Sequence, residues 1–121
     1  MKKRVFCIVL LLVVAAGSLA WARYDEISSI TASLSFSGNV ANVAGSVVPQ
    51  RSGVNSSVTV RLQKWNGSGW DTKATWYGTG TTAIGATASG TKIIDGGTYR
   101  TWVTGTCGKE TAHKYSAEKN Y

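Results

Sequence analysis

Ser57-Val58-Thr59-Val60-Arg61-Leu62-Gln63-Lys64-Trp65, then Asn66-Gly67-Ser68-Gly69, then Trp70-Asp71-Thr72-Lys73-Ala74-Thr75-Trp76-Tyr77: this stretch decides the fold class. Val58, Val60 and Leu62 alternate with Thr59, Arg61 and Gln63. A period of two gives a strand one apolar and one polar face, whereas a helix would scatter the same residues around its axis. Val and Thr are β-branched, stiff at χ1 and well suited to a pleated surface. The Asn-Gly-Ser-Gly segment supplies a hairpin loop between two such runs. The stretch therefore predicts an antiparallel hairpin.

The same pattern continues on both sides. Upstream, Ile30, Ala32, Leu34 and Phe36 alternate with Thr31, Ser33 and Ser35. A Gly38-Asn39 turn follows, then a run from Val40 to Val48 with Ala41, Val43, Gly45 and Val47 on one face. Pro49 ends that run, because it removes a ladder donor. Downstream, Thr81–Ser89 has weak strand character around Ala83-Ile84, and Ile93-Ile94 closes the region. Thr98–Thr106 alternates again, with Tyr99, Thr101 and Val103 on one face and Trp102 directed away from them. Beyond Gly108, Thr111–Lys119 is polar and reads as an edge strand whose lysines discourage edge-to-edge association. About seven short strands with turn signals between them predict an all-β antiparallel sandwich.

The chain begins with Met1-Lys2-Lys3-Arg4, an apolar run Val5–Ala16, and Ala20-Trp21-Ala22. A basic start, an apolar middle and a small-x-small end make up a secretory signal peptide. The apolar run is shorter than the roughly 20 residues of a comfortable membrane span. Residues 1–22 are thus expected to be removed, leaving one domain over 23–121 that is secreted, extracellular or cell-wall associated. The only membrane contact expected is that of the transient signal. Of 13 Lys and Arg, three leave with the signal, and the formal net charge falls from +7 to +4. The remaining basic residues are scattered, which argues against a nucleic-acid partner. Cys7 also leaves, so Cys107 is the single cysteine of the mature domain and no internal disulfide can form. Cys107 is read as a buried strand residue, with an intermolecular bridge as the alternative.

Asp95-Gly96-Gly97-Thr98-Tyr99-Arg100-Thr101 carries a resemblance. Asp95, Gly97 and Tyr99 match the Asp-x-Gly-x-Tyr-x-Cys pattern at the sixth strand of immunoglobulin-type domains, and Thr101 stands at the Cys position. The chain resembles a disulfide-free immunoglobulin-like or fibronectin-III-like sandwich, with Val43 as the residue at the partner position in the second strand. The resemblance implies that Tyr99 buries its ring and returns its hydroxyl to the backbone. It implies a fold and no function. Four further segments, Tyr24–Ile30, Val60–Lys64, Gly97–Arg100 and Tyr115–Lys119, resemble an uncharacterised group of short secreted proteins of Gram-positive bacteria. That resemblance implies secretion and the sandwich fold, and no mechanism.

Catalytic groups are sparse. His113 is the single histidine and falls in the polar last strand, where a solvated role is expected. A Cys107–His113 dyad or a Ser–His pair lacks any local signature. The acids are too dispersed for a metal site, and Gly78-Thr79-Gly80 lacks the Lys-Ser/Thr of a phosphate loop. Asn55-Ser56-Ser57 and Asn66-Gly67-Ser68 match the glycosylation pattern and read as turns. No enzyme activity, metal or cofactor is expected.

The aromatic residues of the hairpin stand out. Strict alternation from a Trp65–Trp70 pair puts Arg61, Trp65, Trp70 and Trp76 on one face, opposite Val58, Val60 and Leu62. One bulge in the Trp70–Tyr77 run would reverse this and turn Trp76, or Trp76 and Trp70 together, towards the core. Burial of Trp76 is the expected outcome, because large aromatics belong more often to cores. Trp65, Trp70 and Arg61 are the candidate binding residues of a non-enzymatic module for a cell-surface glycan or protein. A cationic antimicrobial or membrane-active role is the alternative, weakened by the absence of an amphipathic helix.

Overall fold

A computed structural model describes residues 26–121, and the expected signal segment lies outside them. The described residues form eight strands: β1 (Ile27–Ser37), β2 (Val40–Pro49), β3 (Ser56–Trp65), β4 (Trp70–Gly80), β5 (Ala86–Ile93), β6 (Thr98–Cys107), β7 (Glu110–Tyr115) and the two-residue β8 (Lys119–Asn120). All pairings are antiparallel. One sheet has the order β1-β2-β5 and the other β4-β3-β6-β7, with β8 also paired to β6.

The sheets pack face to face because both carry the predicted alternation. β2 and β6 alternate half-buried and buried residues along their entire lengths. Ala41, Val43 and Val47 from one sheet and Val58, Val60, Leu62, Tyr99 and Val103 from the other are almost fully buried. Each buried Val or Leu contributes about 1.5–3 kcal/mol from removal of apolar surface from water. Thr101 is fully buried among them, and its hydroxyl donates to the Ser33 carbonyl of β1 at 3.0 Å. Where the immunoglobulin pattern has its Cys, a hydrogen bond links the two sheets.

Three local expectations are corrected. The segment 81–89 has no strand around Ala83-Ile84, which lie before β5 begins at Ala86. A turn closed by Gly85 N–H donating to the Thr82 carbonyl leads into the single strand β5. The last run is not one edge strand either. It breaks after Tyr115, where Ser116 Oγ accepts from the Thr101 N–H and Ser116 N–H donates to the Thr101 carbonyl. A side chain thus replaces one rung of the ladder, and pairing resumes at Lys119 against Tyr99. The first strand also starts earlier, at Ile27, whose side chain is buried.

The decisive irregularity lies in β4. Leu62 pairs with Ala74, but Gln63 pairs with Thr72, so Lys73 is the extra residue of a bulge. Trp65 faces Trp70 on one side of the bulge, and Val60 faces Trp76 on the other. One inserted residue switches the face to which later side chains belong. Trp76 therefore joins Val60 and packs partly buried against the core, while Trp70 stays on the outer face with Trp65. A Cβ on Gly90 of β5 would lie 2.0 Å from Trp76 Nε1, so that strand must carry a glycine where the indole crosses it.

Candidate functional site

The outer face of the β4-β3-β6-β7 sheet carries the aromatic and cationic residues. Each takes its place by alternation. Arg100 and Trp102 lie between the buried Tyr99, Thr101 and Val103, and register sets Arg100 beside Gln63 and Trp102 beside Arg61. On the other side Trp102 pairs with Tyr115, and Thr104 with His113.

These side chains form one connected ladder. Trp65 and Trp70 meet edge to face, with ring centroids 5.4 Å apart and planes at 63°. The Arg100 guanidinium lies 4.2 Å from the Trp70 ring centroid and 4.2 Å from that of Tyr115. Tyr115 stacks on Trp102 at 6.1 Å and 15°. Arg61 lies over Trp102 at 4.5 Å, and the His113 ring lies 5.9 Å from the same indole. Two cations set against aromatic faces gain from the ring quadrupoles, by about 0.5–2 kcal/mol each depending on desolvation. Gln63, expected on the solvated side, is 5% exposed because Arg100 reaches across it. Arg100 Nε donates to Gln63 Oε1 at 2.8 Å, which restrains the guanidinium against Trp70 and Tyr115.

The electrostatics of this face are one-sided. Among the described residues, Asp71 and Glu110 pair with Lys64 and Cys107, on the opposite alternation. Glu26, Asp95 and Glu118 lie outside the strands. The described ion pairs, Arg51–Glu26 and Lys64–Asp95, involve neither ladder arginine. Arg61 reaches only a hydroxyl, with Nη1 donating to Thr104 Oγ1 at 3.4 Å. Trp102 Nε1 is covered and has no hydrogen-bond partner.

A second polar cluster sits at the β5–β6 corner. The Tyr99 hydroxyl lies 2.9 Å from the Asp95 carbonyl oxygen and 2.9 Å from its Oδ1, and Lys64 Nζ donates to Oδ1 at 2.8 Å. The hydrogen bonds from Lys64 and then Tyr99 hold the Asp95 carboxyl at about 2, well below the usual carboxylate range. The same bond from the other side raises Lys64. Tyr99 is raised chiefly by burial and then by its bond to Asp95. This cluster closes the corner as the Tyr99 reading anticipates.

Of the residues singled out in the sequence, Trp65 and Trp70 touch, and Arg61 shares their face but stacks on Trp102 instead. Arg100, Tyr115 and Gln63 were missed as members. Alternation along β6 and β7 points Arg100 and Tyr115 outward, but only the strand order brings them beside the hairpin, where Gln63 of β3 joins them through its bond to Arg100. Cys107 and His113 are not brought together. Cys107 is a free thiol at 0% exposure beside Ser56 Oγ, while His113 is exposed on the outer face with Nδ1 3.0 Å from Thr104 Oγ1. No group of three or more His, Cys, Asp or Glu among the described residues could hold a metal ion. No family model, curated protein or solved structure matches the chain.

Proposed function

We propose that the chain is a secreted, non-enzymatic interaction module with an immunoglobulin-like or fibronectin-III-like sandwich, and that it binds a surface glycan through the outer face of its larger sheet. The strand orders β1-β2-β5 and β4-β3-β6-β7 and the Tyr99–Asp95 corner support the family part of this reading. The basic, apolar and Ala-x-Ala segments of residues 1–22 support export. The binding part rests on one observation, the unbroken Trp65–Trp70–Arg100–Tyr115–Trp102–Arg61 ladder. Its members are held by stacking and by the bond to Gln63 before any ligand arrives, so little side-chain freedom is lost on binding. Trp65, 42% exposed, and Tyr115, 48% exposed, offer ring surface on which the apolar face of a sugar can stack.

Intrinsic Trp fluorescence during titration with a panel of polysaccharides tests the reading. At least one glycan should shift the emission saturably, and Trp65→Ala should weaken its binding about tenfold or more, equivalent to about 1.4 kcal/mol. Silence across the panel, or full affinity in the variant, counts against it.

A further inference from the structure

From the charge and the geometry of the ladder, we infer that its ligand is an anionic polysaccharide, a sugar polymer carrying carboxylate or sulfate groups, engaged by Arg61 and Arg100. The inference rests on the glycan reading and gives that ligand its chemical class. Arg100 has two ring centroids 4.2 Å away, those of Trp70 and Tyr115. Both contacts are made through ring faces, and the N–H groups of the guanidinium remain the part that can bond an oxyanion. Its Nε is already used by Gln63, which leaves the Nη groups as the free end of the fork. That planar fork is the geometry that recognises an oxyanion through two parallel hydrogen bonds. Arg61 presents a second guanidinium on the diagonal: it is in register with Trp102, two residues from Arg100. Diagonal neighbours on adjacent strands are about 7–8 Å apart at Cα.

Among the described residues, neither arginine has a carboxylate partner. The described ion pairs involve neither, and no strand carboxylate shares their alternation. A cationic face with aromatic rings beside its cations is complementary to a polymer with anionic groups on sugar rings. The rings stack on the apolar sugar faces, and the forks take the oxyanions. A neutral glycan would use only the first kind of contact.

The experiment compares a neutral polysaccharide, a polyuronate and a sulfated polysaccharide, each titrated into the full-length folded protein at low and at high ionic strength. Two matched double variants accompany the native chain. Arg61→Gln/Arg100→Gln removes two charges from the face. Lys73→Gln/Lys92→Gln removes the same number from a different site, where both lysines line a cleft with Ile94, Asp95 and Tyr99. The expected result is saturable binding of one or both anionic polymers, at least about tenfold tighter than the neutral one and weakened by salt. The arginine variant should lose about tenfold or more of that affinity, and the lysine variant should keep it. The two anionic arms tell carboxylate from sulfate as the preferred group. Where the double arginine variant fails to fold, Arg100→Lys replaces it, and a several-fold loss is expected because the charge stays but the fork does not.

Equal binding of neutral and anionic polymers overturns the charge inference and leaves the glycan face standing. Equal losses in the two double variants overturn it as well, because net charge alone would then account for the binding. No response to any of the three polysaccharides overturns both this inference and the glycan reading.

Discussion

Tyr99 shows what a single hydroxyl does in this fold. Its ring is buried against the core and meets Phe36 edge to face at 6.1 Å, while its oxygen reaches back to Asp95. Tyr99→Phe keeps the ring and leaves the Asp95 carbonyl without this donor. A loss of about 1 kcal/mol in urea unfolding is expected. Asp95 adds a pH dependence with a definite sign. Its carboxyl titrates near 2 in the folded chain against an ordinary 3.8. A depressed carboxyl stabilises the fold fully above the ordinary value, and that contribution disappears as pH falls towards the folded value. The stability gap between the native chain and Asp95→Asn should therefore be constant at neutral pH and close between about pH 4 and pH 2. Urea unfolding curves across that range check it. An unchanged gap would show that Asp95 does not titrate where its bonds to Lys64 and Tyr99 place it. The Asp-x-Gly-x-Tyr spacing made the Tyr99 contact legible in the sequence. The Lys64 contact was not legible, because it joins positions 31 residues apart.

At the scale of one element, β4 decides which aromatics are available to a ligand. Lys73 is the extra residue, and the bulge it makes sends Trp76 inward and keeps Trp70 outside. Nothing in Asp71-Thr72-Lys73-Ala74-Thr75 marks the site, since each residue is acceptable in a regular strand. The outcome is set by the partner, because Val60 and Leu62 of β3 are fully buried and demand apolar neighbours at Trp76 and Ala74. A substitution at Gly90 tests this packing. Gly90→Ala puts a methyl group where the Trp76 indole lies and should destabilise the protein by about 1–3 kcal/mol. Gly69→Ala, where an added Cβ meets nothing within 4 Å, is the control and should change stability by less than about 1 kcal/mol. Thermal unfolding of the two variants separates them. Equal effects would mean that Trp76 does not press on β5.

For the whole molecule, the two sheets share one core and neither face is complete without the other. Buried residues from both form a single cluster, and Thr101 bonds across it to β1. Unfolding should be a single transition that coincides by far-ultraviolet circular dichroism and Trp fluorescence. Cys107 reports on the same event because it is wholly inside that cluster. A thiol reagent should leave it untouched in the native protein and modify it in proportion to the unfolded fraction as urea is raised. Rapid modification without denaturant would contradict its burial.

The sequence by itself determined the all-β class, most strand positions, the inward residues of β2, β3 and β6, and the turns between strands. Each depends on an alternation of period two or on a turn residue, and both are local. It also placed Trp65, Trp70 and Arg61 in one hairpin. Only the tertiary structure decided the bulge at Lys73, the break at Ser116 and the membership of the ladder. Those features depend on which strands lie side by side and on what a buried neighbour requires. Arg100 becomes part of a face with Trp70 and Tyr115 because β6 runs between β3 and β7, and no local pattern encodes that order.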